Sequence, residues 1–164
     1  MPEKATRERA RRDRREGKAP TTQAGEFVRE EMHHIREGKH GARSTKQAIA
    51  IGLSKARRAG VPLRAPRTGS ARTRKSAARA YSEGQHHPRR KPSRTRSRAM
   101  LGALRREPRA AASHRALASQ AHAASVRRGS RARSAASRKA VRTKGPTLRR
   151  AAARKAAATR RKHA

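Results

Sequence analysis

Eight of the ten acids in this chain lie within its first 37 residues, and the 127 residues that follow hold 37 Lys and Arg but only two acids, Glu83 and Glu107. That longer part carries +35. It repels itself over distances shorter than the screening length, so it compacts only where apolar burial is locally strong or where a polyanion removes the charge. Apolar material is scarce, since Leu, Ile, Val and Phe make up 14 of 164 residues. This is below the roughly 20% at which a highly charged chain is expected to be disordered. The expected fold is all-α and largely disordered. It has one short helical hairpin at about 26–60, a charged helix before it, and a basic tail of marginal helices after it.

Residues 1–17 read as a helix charged on every side. Opposite charges stand four apart at Glu3 and Arg7, Glu8 and Arg12, Arg9 and Asp13, and Arg12 and Glu16, each pair adding about 0.2 to 0.5 kcal/mol. Gly17 supplies a stop. Such a helix has no apolar face to bury and is expected to be solvated. KAPTTQAG, residues 18–25, reads as a linker at the start of a hairpin module spanning 18–63.

In EFVREEMHHIREG the residues Phe27, Val28, Met32 and Ile35 recur at helical spacing, and Gly38 closes the run. After the short connection GKHGAR, Ser44 stands three residues before Gln47, the spacing of a capping box. A second stripe of Ile49, Leu53 and Ala56 follows, bordered by Gly52 and Ala59 and ended by Gly60 and Pro62. These seven residues (Phe27, Val28, Met32, Ile35, Ile49, Leu53 and Ala56) are the expected packing surface. Two helices totalling 35 residues are few for an independent core, so the hairpin also reads as a self-association or docking site.

Past Pro62 the sequence is low in complexity. Pro66, Gly69, Gly84, Pro88 and Pro92 punctuate residues 64–96, which are expected to stay irregular as a disordered basic linker. Residues 97–164 are rich in Ala and Arg, with high helix propensity. Short helices are expected at 98–106, 110–127, 134–142 and 148–162, separated by Pro108, Gly129 and the Gly145-Pro146 pair.

The chain has no cysteine and no tryptophan, which excludes disulfides and thiolate metal sites. Eight histidines include His33, His34, His40, His86 and His87. At metal-motif spacing only a loose Glu30 and His34 pair is recognised, so no metal and no cofactor is expected. Paired carboxylates in a pocket and a glycine-rich phosphate loop are both missing, and an enzyme is not expected. No segment resembles a signal peptide, a transit peptide or a membrane span. A cytoplasmic, nucleoid-associated location is the expectation.

Charge of this size and sign points to a polyanion. Each phosphate neutralised by Lys or Arg releases counterion, which makes binding strong at low salt and largely independent of sequence. The candidate phosphate contacts are Arg57, Arg58, Arg64, Arg67, Arg72, Arg74, Lys75, Arg89, Arg90, Lys91, Arg94, Arg96, Arg98, Lys139, Lys144, Arg149, Arg150, Arg154, Lys155, Arg160, Arg161 and Lys162. Sequence reading by a groove helix is disfavoured because few bases lie on a packed helix. Single-strand platforms need stacking aromatics, and only Phe27 and Tyr81 are available. The expected function is non-enzymatic, histone-like DNA binding. The alternatives are a protein-interaction hairpin localised by its basic tail, and a ribosome- or RNA-binding protein. Neither a membrane nor a small-molecule substrate is an expected partner.

The segment KAPTTQAGEFVREEMHHIREGKHGARSTKQAIAIGLSKARRAG, residues 18–60, resembles a family of small basic bacterial proteins of uncharacterised function, with a signature S-x-K-Q-A-I-A-I-G-L-S-x-A-R-x-A-G. RSRAMLGALRREPRAAASHRALASQA resembles it more weakly. Some members are labelled plasmid-stabilisation or DNA-binding proteins, so the resemblance implies a bacterial source and a link to plasmid maintenance, with no catalytic residue to carry over. From about residue 128 the tail is similar to bacterial linker-histone-like sequence in composition alone.

Overall fold

Helix α1, Lys4–Arg15, buries Thr6, Ala10 and Asp13 along the side that packs on α2, Pro20–Arg36. The computed structural model describes residues 2–86 and 93–162, with the Lys162 side chain excepted. Among them all regular structure is helical. Helices α3 (Thr45–Arg58), α4 (Ala71–His86) and α5 (Arg94–Arg105) come next, then a 3-10 turn at Ala110–Ala112 and α6 (His114–Lys162). Two compact units result, one ending at Gln120 and one beginning at Ala121.

The expected hairpin is present as α2 and α3, with α2 longer than expected. Pro20 occupies the first turn of α2, where its fixed φ favours the helix and its missing N–H costs nothing. Residues 20–25 are therefore helix rather than linker. Gln23 Nε2 donates to the Lys18 carbonyl oxygen at 2.8 Å, and Ala24 is buried. Ser44 caps α3 as expected, its Oγ accepting from Gln47 N at 3.2 Å. Gln47 Oε1 accepts instead from Arg43 N, one residue before the cap, at 2.7 Å.

Two apolar clusters sit at the two ends of the hairpin. Phe27 and Ala56 join Ala10 and Ala24 from the α1 side and Val61 from the segment after α3, with Leu53, Ala59 and Leu63 packed against them. Met32 and Ile35 join Ala42, Ala48, Ala111 and Ala112, with Val28, Ile49 and Leu117 at the edge. All seven predicted packing residues are buried or half-buried. Phe27 and Ile35 are almost fully enclosed, worth about 1.5 to 3 kcal/mol each. The rest of the core is mostly alanine, which lets helices approach closely. At Gly52, where α3 crosses α2, a methyl group would stand 2.7 Å from Val28 Cα.

Three further expectations are corrected. Helix α1 is not solvated all round, because Thr6, Ala10 and Asp13 form a small-residue face. Its charges also reach α2, with Arg9 Nε 2.6 Å from Glu26 Oε2. Residues 64–96 are not irregular throughout, since α4 occupies 71–86 and packs on α3 through Ala77, Ala80 and Gly84.

The third correction concerns the tail, which completes the hairpin's cover. Gly41 N donates to the Leu104 carbonyl oxygen at 2.8 Å and Ala42 N to that of Pro108 at 3.0 Å. Thr45 Oγ1 donates to the Ala111 carbonyl oxygen at 2.7 Å, and Arg36 Nε to that of Ala112 at 2.8 Å. The helices of the tail fall close to expectation. Helix α5 covers 98–105 of the expected 98–106 run, with an earlier start at Arg94. In α6 the helical dihedrals break at Gly129 and Gly145, the two places where composition put boundaries.

Candidate nucleic-acid interface

The acids of the first 37 residues are engaged within residues 1–60. Lys18 Nζ lies 2.8 Å from Asp13 Oδ1 and 2.7 Å from Glu16 Oε2. Glu26 holds Arg9 and Arg29, Glu37 holds His33 and Lys39, Glu8 faces Lys4, and Glu31 faces Lys55 and His40. Glu3 and Glu30 both face His34. The hydrogen bonds that Lys18 donates, to Asp13 first and then to Glu16, raise its pKa. Lys39 and Glu37 each move the other toward its charged form through their hydrogen bond. Glu3 is lowered first by its hydrogen bond to His34. These carboxylates are committed to the N-terminal helices.

Past Pro62 the balance differs, with 31 Lys and Arg and two acids, Glu83 and Glu107. On α4 the bases Arg72, Lys75 and Arg79 share one face with Ser76 and line a shallow surface depression. The buried Ala77, Ala80 and Gly84 lie on the side toward α3. Two interleaved stripes, each at i, i+3 and i+7, thus turn the bases outward. Arg79 was not among the sequence candidates. The alanine and glycine stripe beside it was the available signal, since it fixes which way α4 faces.

Arg57 is the candidate that the structure removes from the surface. It is buried, donating from Nε to the Leu63 carbonyl oxygen at 3.0 Å and from Nη2 to that of Arg64 at 3.4 Å. Burial pushes its pKa below the ordinary value, though a guanidinium stays charged across the physiological range. It ties down the chain after α3, with its guanidinium turned to backbone carbonyls instead of the surface. Its neighbour Arg58 is exposed, as are Arg64, Arg67, Arg72, Arg74, Lys75, Arg94, Arg96 and Arg98. In the second unit Lys139, Lys144, Arg149, Arg150, Arg154, Lys155, Arg160 and Arg161 are exposed on helix. Arg89, Arg90, Lys91 and the Lys162 side chain lie outside the described residues.

The second unit contains no Asp or Glu at all, so no acidic side chain within residues 121–164 answers its positive charge. No helix among the described residues is long and apolar enough to cross a membrane.

Histidine placement departs from the sequence reading. Glu31, His34 and His40 converge, and so do Glu3, Glu30 and His34. The sequence reading singled out only Glu30 with His34; the Glu31 and His34 spacing on α2 was also available as a signal, whereas His40 lies beyond the end of α2 and is returned to it by the turn at 38–43. Comparison with family models, with curated proteins and with solved structures finds no match to this chain, so its functional reading rests on the residues and geometry described above.

Proposed function

We propose that this protein binds duplex DNA without enzymatic activity and largely without sequence preference, coating or compacting it by phosphate neutralisation in a histone-like manner. One observation carries the reading: 31 bases past Pro62 with two acids among them, while the acids of α1 and α2 are engaged locally. The α4 face of Arg72, Lys75 and Arg79 supplies a fixed patch. The helices from Ala121 onward supply an acid-free cationic surface. These exposed helices are formed rather than disordered as composition suggested, and their like charges repel one another where no polyanion is present. Phosphates remove the repulsion and stabilise the helices on binding. Nucleoid association and plasmid maintenance are the cellular settings that this reading favours.

The test is a salt titration of binding to two duplexes of unrelated sequence. Both are expected to bind alike, and affinity to fall by about 10³ to 10⁵ between 50 and 200 mM salt if six to ten phosphates are contacted. Replacing Arg72, Lys75 and Arg79 together by Gln is expected to reduce the slope of log affinity against log salt by about three. Affinity insensitive to salt, or no binding at low salt, overturns the reading. Competition between duplex DNA and RNA at matched salt ranks the ribosome or RNA alternative. The hairpin-docking alternative is weakened by α1, α4 and residues 104–112, which cover α2 and α3 within the same chain.

A further inference from the structure

Two consecutive residues of α2, Glu30 and Glu31, have 4% and 0% of their surface exposed. Glu30 Oε2 and both oxygens of Glu31 are buried and accept no well-formed hydrogen bond among the described residues. Burying an ionised carboxylate is costly unless a cation or several donors compensate it. One cation is visible, because Lys55 of α3 brings Nζ to 2.5 Å from Glu31 Oε2. The other oxygen is faced differently. His40 Nε2 lies 3.3 Å from Glu31 Oε1, while His40 Nδ1 lies 3.0 Å from the Gly41 carbonyl oxygen. A carbonyl oxygen only accepts, so Nδ1 carries the ring hydrogen. In the neutral imidazole this leaves Nε2 as a lone pair directed at a carboxylate. Two acceptors facing each other in a buried site require a cation between them, either a proton or a metal ion.

A third ligand converges on the same place. Glu31 and His34 are three apart on α2, a Glu-x-x-His spacing that puts carboxylate and imidazole on one helix face and recurs at metal centres in helical bundles. One donor atom from each of Glu31, His34 and His40 lies within 4.8 Å of the other two, and the two imidazole rings meet edge to face with centroids 6.3 Å apart. Tetrahedral zinc bonds of about 2.0 to 2.2 Å put ligand atoms about 3.3 to 3.6 Å apart, so a contraction of at most about 1.5 Å brings the three atoms to zinc-ligand spacing. The hydrogen bond from His40 Nδ1 to a backbone carbonyl is the kind of outer contact that orients a metal-bound histidine. Lys55 can keep Glu31 Oε2 while Oε1 takes the metal.

We propose that Glu31, His34 and His40 bind a single zinc ion that fastens the turn at 38–43 to α2. Nitrogen and oxygen donors in this ratio suit zinc. The ion's role is structural. The turn it holds carries the Gly41 and Ala42 amides that bind the Leu104 and Pro108 carbonyls, so the metal would stabilise the seating of residues 104–108.

The experiment uses the full chain, stripped of metal by a chelator and titrated with zinc against a chromophoric competitor, with thermal unfolding followed by circular dichroism. One equivalent of zinc is expected to bind and to raise the unfolding midpoint. His34→Gln and His40→Gln are each expected to weaken binding by at least about tenfold, while His33→Gln, whose exposed ring pairs with Glu37, leaves it unchanged. Because His40 is buried, cobalt is also titrated into the unmodified chain, where visible absorption of four-coordinate cobalt is expected whatever the variants do. Less than one equivalent of zinc, no thermal shift, equal losses in the His33 and His40 variants, or only six-coordinate cobalt would each overturn the proposal. The cation between His40 and Glu31 is then a proton.

Discussion

Gly84 of α4 stands so close to the carbonyl of Arg57 in α3 that a methyl group added to it would lie 1.8 Å from that oxygen. Helix α4 is therefore held against α3 at backbone contact. Gly84→Ala gains helix propensity of about 0.5 to 1 kcal/mol, but the clash is with backbone and cannot be relieved by rotating a side chain. A net loss of about 1 to 3 kcal/mol is expected. Gly102→Ala in α5, where added bulk meets nothing within 4 Å, is the matched control and is expected to stabilise. Urea denaturation of both variants reads the difference, and equal effects would show that α4 does not pack as described.

Arg57 and Arg58 are adjacent in sequence and opposite in role. Arg57→Gln removes donors from the Leu63 and Arg64 carbonyls and is expected to cost about 1 to 3 kcal/mol of stability, with the salt slope of DNA binding unchanged. Exposed Arg58→Gln is expected to leave stability within about 0.5 kcal/mol and to lower the salt slope by about one. Denaturation and salt-titrated binding on the two proteins would separate the roles, and a reversed pattern would return Arg57 to the candidate interface.

Ser44→Ala removes the acceptor for the Gln47 amide at the start of α3. A loss of about 0.5 to 2 kcal/mol is expected, while Ser44→Asp retains most of the stability because its carboxylate accepts the same bond and favours a helix N-terminus. Chemical denaturation of the pair tests this, and an aspartate variant as weak as the alanine one would count against capping.

Stability should form a plateau in pH with two shallow arms. Glu37 sits below its ordinary value of 4.5, chiefly through its hydrogen bond with Lys39. Its contribution is therefore present above that value and lost as pH falls through the lowered one. Lys18 sits above 10.5, chiefly through Asp13, so its contribution is present below 10.5 and lost as pH rises through the raised value. Solvent screens both groups, which keeps the arms shallow. Thermal midpoints measured from about pH 3 to 12 should show this, and Lys18→Gln should flatten the alkaline arm. An alkaline arm identical in that variant would remove Lys18 from the account.

What sequence made legible was whatever it wrote in large apolar residues and punctuation. Phe27, Ile35 and Leu53 mark the α2 and α3 pair, Ser44 marks where α3 starts, and Gly129 and Gly145 mark the breaks in α6. The faces of α1 and α4 were hidden because Thr6, Ala10, Ala77, Ala80 and Gly84 carry almost no hydrophobic signal. They stabilise by letting backbones meet, which is a property of two helices together and not of either alone. For the same reason Arg57 could not be told from Arg58. Two of the Glu31, His34 and His40 cluster lay in a helical spacing and the third in the path of a turn, and only folding unites them.

The breaks at Gly129 and Gly145 leave residues 130–144 as a helical run of 15 residues, a rod about 22 Å long. A 49-residue helix without them would be a stiff bar of about 74 Å, twice the length of one duplex turn. A straight bar laid on a winding phosphate ribbon touches it over a short arc and then departs along the tangent. Jointed rods follow the curve, each meeting its own arc. Both joints use positive φ, a backbone state open to glycine and strained for other residues. On the proposed duplex partner, these two glycines would determine how many of the tail's cations reach phosphate at once.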